Sequence, residues 1–145
     1  MNIISQQGFT LIELMVTLAV LAILSTVAVP AFNTMLTQQQ LNKSARDLAL
    51  TLSDARAKAA LERREVKVEL NSSAVNTNTQ FNWMPSGEAI LSSTSPTTVT
   101  FLPIGVVQGG AAVTFEVCSS STSGVSRIIT IGRMGNLQPI TEGTC

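Results

Sequence analysis

The chain has 145 residues, nine basic and nine acidic side chains, and neither histidine nor tyrosine. This length suits one small domain rather than two, and the balanced charge gives no field strong enough to gather nucleic acid or anionic lipid. The serines have no imidazole base, and Gly105 and Gly109-Gly110 lack the lysine of a phosphate loop, so no enzyme and no cofactor are expected.

From the N-terminus, Met1 to Gly8 forms a short lead without Lys or Arg. Phe9 to Val29 is then an apolar run of 21 residues interrupted by one charge, Glu13. As a helix it would be about 31 Å long at ~1.5 Å per residue, matching a hydrocarbon core of about 30 Å. No basic segment precedes the run, and Ala28-Val29-Pro30 is a poor signal-cleavage site. The run is therefore expected to remain as a membrane anchor. Glu13 is costly there unless it sits at the membrane edge or meets a cation from another helix end. Pro30 must end or bend the helix. Helical patterning resumes directly after it, which favours one helix from Phe9 to about Arg63, bent around Pro30.

The segment Gly8-Phe9-Thr10-Leu11-Ile12-Glu13-Leu14, continued by Met15-Val16-Thr17 through Pro30, resembles the class III signal of type IV prepilins and type II secretion pseudopilins. The resemblance implies cleavage after Gly8 by a prepilin peptidase and N-methylation of Phe9. It implies that Glu13 pairs with the free amine of an adjacent subunit during assembly. Pro30 would lie within a long helix that bends or locally melts in a filament. Residues 1–8 are then the leader peptide, 9–30 the transmembrane and filament-core helix, 31–64 an amphipathic helix, and 65–145 the β-rich part of the globular domain. The uncharged leader weakens the positive-inside bias.

Along the amphipathic segment, Leu41, Ala45, Leu48, Leu52, Ala55 and Ala59 recur at spacings of four and three, with Leu36 extending the stripe. This stripe is expected to pack against the chain's own sheet, with Asp54 and Lys58 as a surface pair four residues apart. The period then changes to two. Glu65 to Leu70 alternates apolar and charged residues, and Asn71 to Thr79 reads as a polar loop. Phe81 and Trp83 alternate again, with Trp83 expected in the core or an interface. Pro85-Ser86-Gly87 supplies a turn. Ala89–Leu91, Thr97–Leu102, the Val113-Phe115-Val117 stretch ending at Cys118, and Arg127–Ile131 complete six or seven strands, expected to pair as antiparallel hairpins. Ser119 to Gly124 is a polar tip, and Gly132 onward a loop or terminal hairpin. Cys118 and Cys145 sit in no CxxC pair and have no histidine beside them, so zinc is not expected. Outside the cytoplasmic membrane they would form a disulfide pinning the C-terminus to a strand.

Fold class is therefore α+β: a long N-terminal helix, transmembrane in its first half, packed on an antiparallel sheet as in pilins. The register Leu41-Asn42-Lys43-Ser44-Ala45-Arg46-Asp47-Leu48, the Ser53-Asp54-Ala55-Arg56 segment, and Gly132-Arg133 before the final cysteine are similar to the GspH/FimT family, which includes FimU-type minor pilins. The resemblance implies a structural minor pilin that promotes filament initiation, and through it twitching, adhesion or DNA uptake. Such a subunit would sit in the bacterial inner membrane with its globular domain in the periplasm, and then near the pilus tip. Implied partners are other minor and major pilins, the prepilin peptidase and the inner-membrane assembly platform. A minor pseudopilin of type II secretion is the alternative. Some members of that family bind DNA through Gly-Arg-x-Arg. Here Gly132-Arg133-Met134-Gly135 lacks the second arginine, leaving Arg127 and Arg133, with the helix-end arginines, as a weak candidate patch.

Overall fold

The computed structural model describes residues 9–120 and 124–145. One helix, α1 (Leu11–Glu62), is followed by seven strands among the described residues: β1 (Val66–Leu70), β2 (Gln80–Trp83), β3 (Ala89–Leu91), β4 (Thr98–Phe101), β5 (Val113–Ser119), β6 (Ser126–Ile131) and β7 (Thr141–Gly143). The leader, residues 1–8, and part of the expected polar tip, residues 121–123, lie outside the described residues.

Residues 11–36 of α1 are exposed on every side. Their hydroxyls are turned onto the helix itself. Thr17, Ser25, Thr26 and Thr34 donate to the carbonyls of Leu14, Leu21, Ile23 and Pro30 at 2.7–3.1 Å. Polar groups satisfied within the helix are what an apolar solvent requires. Pro30 lies inside α1 and does not end it.

From Leu36 onward the chain forms a compact unit with its own core. All six residues of the predicted stripe, Leu41 to Ala59, are at most 1% exposed. They pack with Val66, Val68, Phe101, Phe115, Ile129 and Ile131 from the strands, so helical period on one side meets strand period on the other. Leu36 departs from the stripe and is 43% exposed, while Thr37 one residue later is buried. The 41–59 spacing, run backwards, reaches 37 or 38 rather than 36, so Leu36 faces away. Asp54 and Lys58 do not form the expected pair. Lys58 reaches Asn78 Oδ1 at 3.5 Å and lies 5.6 Å from the Phe81 ring centre.

The strands divide into a three-stranded sheet, order β2-β1-β4, and a four-stranded sheet, order β3-β5-β6-β7. Pairing is antiparallel throughout except between β1 and β2, which run parallel with Lys67 opposite Gln80 and Leu70 opposite Trp83. β4 occupies the other side of β1 in antiparallel register, Val66 opposite Phe101. The polar loop 71–79 carries β2 back to the start of β1. Asn71 takes positive φ, the backbone N–H of Asn82 donates to Asn76 Oδ1 at 2.7 Å, and Asn82 Nδ2 donates to the Val75 carbonyl at 3.2 Å. Trp83 is in the core, 5% exposed, as expected. Its indole N–H meets no acceptor among the described residues.

α1 ends without glycine. Arg63 adopts φ 51°, and the Arg64 N–H donates to the Ala59 carbonyl at 3.3 Å, closing the last turn as a Schellman motif.

Candidate assembly site

Thr10 opens α1. Its Oγ1 accepts the Glu13 backbone N–H at 3.3 Å, and its carbonyl accepts the Leu14 N–H at 3.2 Å. Thr10 is thus the N-cap and Glu13 the third helical residue, the Thr-x-x-Glu spacing of a capping box. The carboxylate of Glu13 stands in the first turn, where the helix dipole favours negative charge. The spacing of Thr10 to Glu13 is a capping signal already present in the sequence. Phe9 precedes the cap and is 83% exposed. Gly8 lies outside the described residues. Among residues 11–36, then, an uncovered apolar helix presents one carboxylate near its N-terminus and Pro30 farther along.

At the other end of the chain, Cys118 and Cys145 are joined as a disulfide, with their Cα atoms 6.0 Å apart. Glu116 lies near both sulfurs. The sulfurs are bonded to each other, and Glu116 Oε1 accepts from Ser126 Oγ at 2.7 Å, so the three do not make a free donor set for a metal.

The structure separates the two candidate arginines. Arg127 is a strap across three elements. Its Nε donates to Asn42 Oδ1 of α1 at 2.8 Å, its Nη1 to the Ser126 carbonyl at 3.1 Å, and its Nη2 pairs with Glu142 of β7 at 3.1 Å. Its side chain is 14% exposed. Arg133 follows the far end of β6, six positions and about 20 Å of extended chain away. Arg133 is exposed. Of the helix-end arginines, Arg56 does meet Arg133's turn: it donates to the Met134 carbonyl at 3.3 Å and to the Gly105 carbonyl at 3.1 Å. Nothing local in the sequence marks these two contacts of Arg56, which lie 49 and 78 positions away.

An open depression beside the Arg127 strap is lined by Asn42, Arg46, Ile140 and Glu142. Its one carboxylate is already ion-paired, and it holds no nucleophile with a base. No clear catalytic site is present among the described residues.

Residues 4–29 match the prokaryotic N-terminal methylation motif. No curated protein is matched by the chain. Two crystal forms of the type IV minor pilin FimU from Pseudomonas aeruginosa share the fold. One has a TM-score of 0.56 at 17% identity, covering 70% of this chain and 88% of that one. The other has a TM-score of 0.53 at 18% identity, covering 68% and 90%.

Proposed function

We propose that the chain is a minor subunit of a type IV pilus, made as a membrane-anchored precursor and used to initiate or support filament assembly. The observation that carries this is the joining of two parts with different solvents. A methylation-motif helix with no residue buried from 11 to 36 is continuous with a disulfide-closed β domain that has a full core of its own. An apolar surface of that length has to be covered, first by lipid and then by the helices of other subunits. The likeness to FimU supports the same placement at the level of fold.

In this reading cleavage follows Gly8 and Phe9 becomes the methylated N-terminus. Glu13, held in the first helical turn by Thr10, accepts the amine of a neighbouring subunit. That pairing neutralises a charge which would otherwise oppose transfer into an apolar filament core. Pro30 removes one helix hydrogen bond and leaves a weak point at which α1 can bend as subunits pack. Partners are the prepilin peptidase, the inner-membrane platform and other pilins.

The test is surface pilus yield in a clean deletion strain, with and without retraction. A large loss that is partly restored when retraction is blocked is the expected result. Normal yield in both backgrounds would move the assignment to a type II secretion pseudopilin or a dedicated DNA-uptake subunit, and secretion and transformation assays would separate those two.

A further inference from the structure

A ten-residue pattern recurs in this chain. Val99-Thr100-Phe101-Leu102-Pro103-Ile104-Gly105-Val106-Val107-Gln108 and Ile129-Thr130-Ile131-Gly132-Arg133-Met134-Gly135-Asn136-Leu137-Gln138 share an apolar-Thr-apolar opening, an apolar residue before glycine, and an apolar-Gln close. The two segments make the same turn. Leu102 N–H donates to the Val106 carbonyl and Gly105 N–H to the Leu102 carbonyl, at 2.9 and 2.7 Å. Gly132 N–H donates to the Asn136 carbonyl and Gly135 N–H to the Gly132 carbonyl, at 2.9 and 2.8 Å. Each turn closes on an antiparallel bridge, Phe101 with Val107 and Ile131 with Leu137.

The turns lie side by side, with the Val107 N–H donating to the Arg133 carbonyl at 3.2 Å. Arg56 bonds a carbonyl of each, Gly105 and Met134. Gly135 has φ 77°, and a Cβ there would collide with the Gly105 carbonyl and press on Arg56, so the close pairing depends on this glycine. The end of α1 belongs to the same place, because Ala60 and Arg56 are what a Cβ on Gly105 would touch.

The equivalent position of each turn carries an exposed apolar side chain: Ile104 is 77% exposed and Met134 60%. Leu61, next to Ala60, is 83% exposed. Arg133 on the second turn and Arg63 past the helix end have no ion pair among the described residues, whereas Arg64 pairs with Glu62. Arg63 also occupies a left-handed conformation that glycine would adopt at lower cost. Exposed apolar side chains on the paired turns, with a cation on one turn and another past the adjoining helix end, suit the centre and rim of a protein interface. Duplex or single-stranded DNA would instead need several free cations aligned on phosphates, and here Arg56 is engaged by carbonyls and Arg64 by a carboxylate.

We propose that the twin turns and the end of α1 form a docking surface for a neighbouring filament subunit, one whose facing surface is apolar and rimmed by carboxylates. This rests on the proposal that the chain is a filament subunit. A small patch suffices in that setting, because helices held together in one filament keep neighbouring domains at high effective concentration.

The experiment places a photoreactive phenylalanine analogue at Ile104 or Met134, and at Leu24 as a control within the apolar helix, in the full-length chain in pilus-forming cells. Adducts are mapped by mass spectrometry. Adducts from both turns are expected on one partner segment in which Asp or Glu flanks apolar residues. Their yield is expected to fall about tenfold in an Arg63→Glu, Arg133→Glu variant, since rim charges set partner choice and encounter. It should return when the partner's carboxylates are changed to Lys. Retention of the Cys118–Cys145 disulfide on non-reducing gels shows that the variant still folds. Adducts indifferent to charge reversal, adducts to a second copy of this chain or to nucleic acid, or none from the turns while Leu24 still captures other subunits, each overturn the docking surface alone. Loss of the Leu24 adducts as well overturns the filament-subunit reading and the docking surface together.

Discussion

Three residues around the twin turns make different demands on the backbone and separate cleanly by substitution. Gly135→Ala puts a Cβ into the Gly105 carbonyl at a left-handed φ, and is expected to destabilise the globular part by about 2 kcal/mol or more. Arg56→Ala removes two hydrogen bonds made by an exposed side chain, for a loss of about 1 kcal/mol. Arg63→Gly acts in the opposite sense. Relief of the left-handed strain outweighs the added freedom of the unfolded chain, and a gain of about 0.5–1 kcal/mol is expected. The three are ranked by chemical unfolding of the detergent-solubilised chain, followed through Trp83, its single tryptophan. A stabilised Arg63→Gly chain that also loses turn adducts would show why arginine stands at a position suited to glycine.

Among the elements, β7 depends most on help from outside its own strand. It has three residues, pairs among the described residues only with β6, and is tied by the Arg127–Glu142 ion pair and by the disulfide two residues beyond it. Replacing both cysteines by serine is expected to cost about 3–4 kcal/mol in the chain-entropy account. Hydrogen exchange at Thr141–Gly143 should accelerate before that of β5 and β6, and equal protection of all three strands would contradict this. Pro30 is the weak point of α1. Pro30→Ala restores a hydrogen bond in a helix interior where proline costs about 3 kcal/mol. Slower amide exchange from about Thr26 to Thr34 is the expected result.

For the whole molecule, the helix that needs cover and the domain that does not respond to different changes. Glu13→Ala leaves every core residue from Leu41 to Ile131 untouched. It is therefore expected to impair incorporation into filaments while disulfide formation and unfolding of the globular part stay unchanged. Crosslinking from Leu24 measures the first. Unaltered incorporation would count against the proposed pairing with a neighbour's amine.

Features that depend on period and local chemistry are legible in the chain. The 21-residue apolar run falls in the exposed stretch 9–36, and the 4-3-4-3-4 stripe required a buried face; all six of its residues are buried. Strands β1 to β6 were legible to within a residue or two, because each side chain's burial repeats with its own element, whereas β7 lies in what the sequence marks only as a loop or terminal hairpin. Strand direction was not legible in this way. A polar loop of nine residues permits either a hairpin or a return; the chain takes the return, with β2 parallel on one edge of β1 and β4 antiparallel on the other. Nor did type and spacing reveal what each arginine faces. Arg127 and Arg133 look alike in the chain, yet one is held by Asn42 and Glu142 and the other stands exposed in a turn fastened by Arg56. Those partners lie from 15 to 85 positions away, and only tertiary packing brings such groups within hydrogen-bonding distance.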